Sequence, residues 1–378
     1  MDKKICIGIL GGGQLARMST IAASRLGFDI AIMDKEMHSP AGQLTHKESI
    51  GWVDEELHIR SFVHHCNVLT LENEFVDHHK LKFIESLRKK VYPSSITIAL
   101  IQDKLLQKQT LKKNNIPVPK FIEVKEQQTF EQISKTLGST FVLKSRKMGY
   151  DGYGNALISN EKEYKDAVKH LSNRHINLMA ESFVNFTMEL AVMVVRTKKE
   201  IKAYPVVQTI QKNHICHTVI APAQISKNIA ERAEKIAIKS VKAVKGFGIF
   251  GVEMFLTQNN SIIVNEMAPR PHNSGHYTIE ACVTSQFENH IRSVMDLPLG
   301  STEMIQPHAV MINLLGKPHP QKILDVYRIA LKDPNIHLHI YGKNGSRVGR
   351  KMGHITIVGD NLKKILTTAT ELEKKISL

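Results

Sequence analysis

The chain has 378 residues, 42% of them hydrophobic and 23% charged, and it carries a formal net charge of +15. This length exceeds what one ordinary core supports, so we expect two or three domains, and the composition excludes a disordered or fibrous protein. No apolar run approaches a membrane span and the N-terminal stretch lacks a secretory signal pattern, so we expect a cytoplasmic protein without membrane contact.

The positive charge and the cysteines allow further exclusions. Basic residues are scattered and only 6% of residues are aromatic, without the interleaved basic and aromatic residues that stack on bases. We expect no nucleic acid partner, and a basic nucleic-acid-binding module stays open only as an alternative that predicts strongly salt-dependent affinity. The four cysteines lack zinc-ligand spacing, which predicts reduced and buried thiols: Cys6, Cys66, Cys216 and Cys282.

The first hundred residues alternate between strand and helix patterns. Segments 4–10, 28–33 and 67–71 read as strands, and segment 15–26 reads as a helix. This alternation predicts a parallel sheet covered by helices, the α/β arrangement. Pro93 then interrupts the pattern, and the serines that follow can cap a helix running to about residue 114.

The rest of the chain mixes shorter elements. After an extended connector at 116–119, a helix is predicted at 229–245, and strands are predicted at 141–145, 189–196, 249–256 and 262–267. A third, smaller region begins after Gly300 and ends in a helix at 361–377. The whole is therefore expected to combine α/β and α+β parts.

A glycine-rich turn follows the first strand. Gly11, Gly13 and Ala16 fit the G-x-G-x-x-G/A dinucleotide fingerprint, and Asp34 lies at the distance of a ribose-binding acid. Glycines here let backbone N–H groups approach an anion at a helix N-terminus. The pattern indicates a phosphate-binding turn, and a NAD-dependent dehydrogenase is one alternative that it leaves open.

Two glutamates are predicted to face each other across a hairpin. A two-residue turn at Asn259 and Asn260 suits a type I′ hairpin, because Asn tolerates positive φ. Residue 258 then lies opposite residue 261, and by the same register Glu253 lies opposite Glu266. Directly opposed like charges destabilise a sheet unless a cation lies between them, which predicts a Mg²⁺ site.

Three further segments carry candidate polar groups. Lys144 ends a strand and precedes the glycine-rich stretch 148–154, an arrangement that can hold phosphates. The loop 270–276 concentrates a guanidinium, two imidazoles, an amide and a hydroxyl directly after Glu266, which favours a reactive site. Segment 350–354 is basic and opens a strand, so it could bind an anion.

With these pieces in order, the sequence resembles the ATP-grasp superfamily, and within it the 5-(carboxyamino)imidazole ribonucleotide synthase family of purine biosynthesis. The resemblance covers essentially the whole chain. The run R-P-H-N-S-G-H is its most specific motif, because it separates this family from other ATP-grasp ligases. The matching segments are G-G-G-Q-L-A at 11–16, Q-D-K at 102–104, G-Y-D-G-Y-G at 149–154, V-N-E-M-A-P-R-P-H-N-S-G-H at 264–276, S-Q-F-E at 285–288 and G-R-K-M-G-H at 349–354.

The resemblance implies three domains and a dimer. Residues 1–102 would form a Rossmann-like pre-ATP-grasp domain, and residues 298–378 a small C-terminal domain. Residues 103–297 would form the ATP-grasp body, with a mobile lid at about 115–185. The family also implies a homodimer, ATP as a substrate, and Mg²⁺ as the cofactor.

The resemblance further implies a role for each site residue. The metal would be held by Glu253 and Glu266, and the reacting carbon would be surrounded by Tyr150, Asp151, Arg270 and His272. ATP would contact Lys104, Lys144, Gly149, Tyr150, Asp151, Gly152, Tyr153, Gly154, Asn155, Glu181, Ser182, Phe183, Val184, Glu189, Gln211, Asn265 and Glu266. The ribonucleotide substrate would contact Gln14, Leu15, Glu72, Arg270, His272, Asn273, Ser274, Lys343, Arg350 and Lys351.

The implied reaction joins bicarbonate to the amine of 5-aminoimidazole ribonucleotide through carboxyphosphate. A formate-dependent glycinamide ribonucleotide transformylase is the nearest rival, and the loop 270–276 favours bicarbonate. Two positions depart from the family pattern. Tyr153 stands where the family has Lys or Arg, and Gln211 stands where it has His. In an extended segment, His214 would point to the opposite face from Gln211 and could not replace that histidine.

Overall fold

The structure, a computed structural model, describes residues 4–149, 154–172, 177–212 and 214–378. These residues form three β-sheets with helices packed on their faces. In this described part, no helix is both long and apolar enough to cross a bilayer. The predicted combination of α/β and α+β parts is confirmed.

The first sheet is parallel and has five strands in the order β3-β2-β1-β4-β5, as the strand–helix alternation predicts. All five residues of its central strand are buried, because helices cover both faces of the sheet. The strands are β1 (Cys6–Leu10), β2 (Asp29–Asp34), β3 (Glu48–Ile50), β4 (Val68–Leu71) and β5 (Lys90–Tyr92), and the helices are α1 (Gln14–Arg25), α2 (Glu56–His64), α3 (His78–Ser86) and α4 (Ser95–Gln102).

The helix predicted to run from the serine cap to residue 114 is in fact two helices. The first is α4, and the second, α5, spans Lys104–Lys113. The first helix ends at Asp103, whose carboxylate accepts hydrogen bonds from the backbone N–H groups of Leu105 and Leu106 in the second helix. Asp competes with the helical backbone for hydrogen bonds, so it starts a new helix here rather than continuing the old one.

A second, antiparallel sheet lies in the middle of the chain, in the order β6-β9-β7-β8. Two helices cover one face and enclose a small core around Phe141. We call this unit the lid sheet. Its strands are β6 (Phe121–Val124), β7 (Phe141–Ser145), β8 (Asn155–Ile158) and β9 (Leu178–Ser182), and its helices are α6 (Phe130–Leu137) and α7 (Glu161–Ser172).

The third sheet, called the large sheet below, has nine strands. They are β10 (Phe186–Arg196), β11 (Ile201–Ala203), β12 (Val207–Lys212), β13 (Ile215–Ala221), β14 (Gly248–Thr257), β15 (Ile262–Ala268), β16 (His308–Leu315), β17 (Ile336–Ile340) and β18 (Lys351–Gly359). Its helices are α8 (Lys227–Ala243), α9 (Thr278–Ala281), α10 (Gln286–Val294), α11 (Ile323–Ala330) and α12 (Leu362–Lys375). The order is β15-β14-β10-β12-β13-β16-β18-β17, with β11 attached to β10, so the C-terminal strands continue the same sheet.

The β14–β15 hairpin pairs Glu253 with Glu266, as predicted, but by a different route. The loop is not the predicted two-residue turn: Thr257 N–H bonds the carbonyl of Ser261, and only Asn260 among the loop residues has a positive φ, of 58°. This three-residue loop shifts the register by one. A bulge on β15 at residue 265 shifts it back, because the pairing jumps there between Glu253 and Met254.

Candidate functional site

One cavity of about 1580 Å³ lies where the three sheets meet. Residues from the parallel sheet, the lid sheet and the large sheet all contribute to its wall. The structure places nearly all of the described candidate residues there: Gln14, Leu15, Glu72, Lys104, Lys144, Gly149, Gly154, Asn155, Glu181, Ser182, Phe183, Val184, Glu189, Gln211, Glu253, Asn265, Glu266, Arg270, His272, Asn273, Lys343, Arg350 and Lys351.

A few candidates lie elsewhere. Tyr150, Asp151, Gly152 and Tyr153 fall outside the described residues. Ser274 is fully buried behind the cavity wall, and its hydroxyl lies 2.9 Å from Nδ1 of His272. The hypothesis that Ser274 touches a ligand is therefore not supported, and its described contact is with the imidazole.

Glu253 and Glu266 lie at the floor of the cavity and carry different charge. Burial and the facing charge of Glu266 raise the pKa of Glu253 to about 8. Burial acts in the same direction on Glu266, but the ammonium groups of Lys104 and Lys144 outweigh it and lower its pKa to about 2. Two opposed carboxyl groups, of which one is protonated, fit a divalent cation, because the cation would replace that proton.

Three lysines surround the floor. Lys104, at the start of α5, forms an ion pair with Glu266. Lys144, at the end of β7, forms an ion pair with Glu181 and lies 3.2 Å from Oδ1 of Asn265. Lys108, which sequence reasoning missed, lies 3.1 Å from the same Glu181 carboxylate. Its position one helical turn after Lys104 was the available signal, since residues four apart share a helix face.

Glu181 has a different contact from the one predicted. Its side chain is 3% exposed and its carboxylate is held by Lys108 and Lys144. Although burial opposes ionisation, these two ammonium groups lower the pKa of Glu181 to about 2. The carboxylate is therefore a counter-charge for lysines, and a ligand can reach Glu181 only at other atoms.

The side chains of Gln211 and His214 point to the same cavity. The hypothesis that they point to opposite faces of an extended segment is therefore wrong. Residues 211 and 212 pair with Cys216 and Ile215, so His214 lies in a tight turn, with a φ of 63°, and not in an extended segment. Both side chains line the cavity. Burial raises the pKa of Glu189, while hydrogen bonds from Gln211 and Thr209 and the charge of His214 act in the opposite direction.

The loop after β15 presents Arg270 and His272. Arg270 forms a two-pronged ion pair with Glu74, in the turn after β4, in which Nη2 lies 3.1 Å from Oε1. Nε2 of His272 lies 3.4 Å from Oε1 of Glu253. Burial, followed by the charge of Arg270, lowers the pKa of His272 to about 3, so the imidazole is neutral. A side chain at Gly251 would collide with this ring, since its Cβ would lie 2.7 Å from that of His272.

The glycine-rich turn after β1 is held by a hydrogen bond to Asp34, an acidic residue at the end of the neighbouring strand β2. Oδ2 of Asp34 accepts the backbone N–H of Gly12 at 2.6 Å, and Glu72 lies 3.4 Å from the backbone N of Leu15. Gly11 has a φ of 98°, which favours glycine. Asp34 therefore holds the turn itself, which removes the main support for the dehydrogenase alternative.

The opposite end of the cavity is basic. Lys343, Arg347, Arg350 and Lys351 line it, and Arg347 is an addition to the predicted set. Arg350 is oriented by the backbone carbonyls of Asn344 and Gly345, at 2.7 and 2.9 Å. Burial, followed by the charge of Arg350, lowers the pKa of Lys343 to about 8. Such a group of cations favours an anionic ligand.

The large sheet curves so that this basic end approaches the glutamates. Glu253 on β14 and Lys351 on β18 are separated by five strand spacings, which would be roughly 24 Å in a flat sheet. The charge of Lys351 nevertheless acts on the carboxyl group of Glu253. Both side chains line the same cavity, which requires the sheet to bend between them.

A cavity with lysines beside paired glutamates, bounded by a four-stranded antiparallel sheet, is the arrangement of an ATP-grasp protein. The ATP-grasp domain profile matches residues 109–287. The ribonucleotide synthetase preATP-grasp domain profile matches residues 4–102. The phosphoribosylaminoimidazole carboxylase C-terminal domain profile matches residues 309–368.

Relatives make the assignment specific. The phosphoribosylaminoimidazole carboxylase of Schizosaccharomyces pombe is 43% identical, over 96% of this chain and 66% of its own length. The N5-carboxyaminoimidazole ribonucleotide synthase of Synechococcus elongatus is 38% identical, over 93% of this chain and 89% of its own. The chain thus belongs to the N5-carboxyaminoimidazole ribonucleotide synthase family, and the predicted resemblance is confirmed.

Solved structures agree. The carboxyaminoimidazole ribonucleotide synthase of Aspergillus clavatus in complex with ATP superimposes with a TM-score of 0.92 at 38% identity, over 99% of each chain. The same enzyme in complex with ADP and 5-aminoimidazole ribonucleotide gives 0.91, also at 38% identity, over 100% of each. The chain spans 66% of the length of the Schizosaccharomyces pombe carboxylase and 65% of the length of the Candida glabrata carboxylase.

Proposed function

We propose that this chain is an ATP-dependent carbon–nitrogen ligase that carboxylates the amine of 5-aminoimidazole ribonucleotide in purine biosynthesis. The observation that carries the proposal is one cavity to which lysines, the paired glutamates and a group of basic side chains all contribute. The Aspergillus clavatus structures, one in complex with ATP and one with ADP and 5-aminoimidazole ribonucleotide, support the same two ligands.

ATP would lie at the glutamate end. Lys104 and Lys144 would contact its phosphates beneath the glycine-rich stretch 149–154, and Glu189 and Gln211 would contact the ribose. Glu253 and Glu266 would hold Mg²⁺, which would supply charge neutralisation for the transferring phosphoryl group. Lys104 would move from Glu266 to the phosphates when the metal binds.

The ribonucleotide would lie at the other end. Lys343, Arg350 and Lys351 would bind its phosphate, and Gln14, Leu15 and Glu72 would position the rest of the molecule. Arg270 and His272 would lie between the two ligands. Tyr150 and Asp151, which fall outside the described residues, remain predicted to lie beside the reacting carbon.

The reaction would take two steps. A bicarbonate oxygen attacks the γ-phosphorus of ATP, the bond to the bridging oxygen breaks, and ADP leaves as carboxyphosphate forms. The amine then bonds to the carboxyl carbon, the bond to phosphate breaks, and the nitrogen loses one proton. Arg270 would stabilise the phosphoryl charge. His272, being neutral, would act by hydrogen bonding rather than by charge.

We also propose the domain limits 1–102, 103–297 and 298–378 with a lid at about 115–185, a homodimer, and a cytoplasmic location. The described lid sheet, Phe121 to Ser182, supports the lid range. The last two domains share the large sheet, so their boundary would separate parts of one hydrogen-bonded surface.

The proposal is tested by ADP release with each acid and each amine in turn. ADP formation should rise sharply only when 5-aminoimidazole ribonucleotide, bicarbonate and Mg²⁺ are all present. Formate with glycinamide ribonucleotide serves as the matched comparison. Turnover with that pair, and none with bicarbonate, would overturn the substrate assignment.

A further inference from the structure

Lys108 is a lysine that the proposed reaction does not use. It lies on α5, its side chain is 3% exposed, and it does not line the cavity. Its ammonium group lies 3.1 Å from Oε2 of Glu181 and 3.2 Å from the carbonyl oxygen of Val264. Burying an ammonium group is costly, so its presence at this depth requires a charged partner.

Glu181 is shared between Lys108 behind the cavity wall and Lys144 at its surface. Oε1 of the carboxylate pairs with Lys144, and Oε2 faces Lys108. The three side chains together carry two positive charges and one negative charge. If Lys108 were absent, Glu181 would neutralise Lys144 completely.

We propose that Lys108 is a positioning residue for the nucleotide. By occupying Glu181 from behind, it leaves the charge of Lys144 uncompensated on the cavity side, where an anionic phosphate can neutralise it. Glu181 meanwhile holds Lys144 in place. The inference rests on the proposed nucleotide assignment and adds a residue that has no contact with the ligand.

A purely structural ion pair is the competing explanation, and charge restoration separates the two. Lys108→Met keeps the length of the side chain but reduces the net charge of the group from +1 to zero. Adding Glu181→Gln restores +1, and the amide oxygen can still accept a hydrogen bond from Lys144. A structural role predicts no recovery from this second change, because it removes one more buried partner.

The experiment is calorimetric titration of the full chain with ADP and Mg²⁺. We expect Lys108→Met to weaken ADP binding by about tenfold or more. The double variant should recover most of that affinity, and its binding should regain the salt dependence that the single variant has lost. The control is Lys113→Met, which removes an exposed charge from the same helix and should bind like the parent.

Parent-like affinity in Lys108→Met would overturn the inference, and so would a double variant that binds no better than the single one. If Lys108→Met does not fold, the ADP affinity of the double variant alone decides between the two explanations, since we expect the double variant to fold and to bind ADP. The readout is nucleotide affinity, so a failed substrate assignment leaves the test intact. A parent chain that binds no ADP would instead overturn the proposed function.

Discussion

At the scale of single residues, the two facing glutamates are not equivalent. Glu266 is ionised and paired with Lys104, whereas Glu253 has a pKa of about 8 and retains a proton near neutrality. Repulsion between the carboxylates is thus relieved by a proton in the ligand-free protein. The metal would have to displace this proton from Glu253 and Lys104 from Glu266.

This difference predicts opposite effects on stability. Glu266→Gln should lower the free energy of unfolding of the metal-free protein by about 1–3 kcal/mol, because Lys104 is left without its carboxylate. Glu253→Gln should leave stability unchanged or raise it slightly, because it mimics the protonated acid. Urea unfolding at pH 7.5 without Mg²⁺ measures both. Both variants should lose turnover, and equal stabilities would contradict the unequal charges.

The turn at His214 leads to a second prediction. Because His214 and Gln211 line the same cavity, His214→Ala should weaken ADP binding by up to about 1 kcal/mol, and Gln211→Ala by a similar amount. Gln211→His should keep the affinity within that range, since an imidazole can donate to Glu189 as the amide does. Calorimetry on the three variants checks this. A loss confined to Gln211→Ala would place His214 outside the nucleotide site.

At the scale of elements, α10 connects the separate parts of the molecule through polar groups. Gln286 accepts the N–H of His272 at 3.0 Å and donates to its carbonyl at 2.8 Å. Asn289 donates to the hydroxyl of Tyr204 at 2.8 Å, and Ser293 accepts the N–H of Gly248 at 3.0 Å. These residues, spaced three and four apart, form a buried polar face on one side of the helix.

The contacts of Gln286 predict a loss of turnover without a loss of nucleotide. Gln286→Met has a similar volume but leaves the backbone of His272 unpaired, so the loop should shift and product formation should fall at least tenfold. Stability should drop by about 1–3 kcal/mol. ADP affinity should stay within twofold, because nucleotide residues lie on other strands. The control, Glu288→Gln on the same helix, should change neither product formation nor stability. If Gln286→Met weakened ADP binding as much as it lowered product formation, the expectation that this loop acts after nucleotide binding would be contradicted.

Sequence reasoning succeeded where hydrophobicity determines structure and failed where polar groups do. The buried run at 141–145 predicted its strand without error. The pairing of the two glutamates was predicted from a two-residue turn that the hairpin lacks, and the bulge on β15 restores that pairing. The face of α10 that is buried is polar, so hydrophobic periodicity gives no signal there. The helix boundary at Asp103 depends on the hydrogen bonds that its carboxylate accepts, and the turn at His214 has a positive φ; a pattern of residue types reveals neither.

At the scale of the whole molecule, His290 joins the parallel sheet to the large sheet. Nδ1 accepts the N–H of Ile249 on β14 at 3.3 Å, and Nε2 lies 2.9 Å from the hydroxyl of Thr70 on β4. The Thr70 hydroxyl donates in turn to the carbonyl of Tyr92, so Nε2 carries the ring proton. Burial lowers the pKa of His290 to about 3, and the imidazole is neutral.

A neutral histidine at this junction predicts acid sensitivity. The folded pKa lies below the unfolded value, so the contribution is fully present above about pH 6.5 and is lost as the pH falls toward 3. Between pH 7.5 and pH 5, His290 should account for a loss of about 2 kcal/mol. His290→Gln keeps both hydrogen bonds without titrating. Urea unfolding at the two pH values should show a smaller loss of the free energy of unfolding in the variant than in the parent. Identical losses would exclude His290 as a source of acid sensitivity.

The curvature of the large sheet has a consequence for which molecules can react. Glu253 and Lys351 belong to the same hydrogen-bonded sheet, so the span between the two ends of the cavity is set when the chain folds. A movement of the lid sheet would change the roof of the cavity without lengthening this span. The proposed site would therefore select by length: an acceptor would react only if the distance between its anionic group and its nucleophile matched the distance that the strands impose.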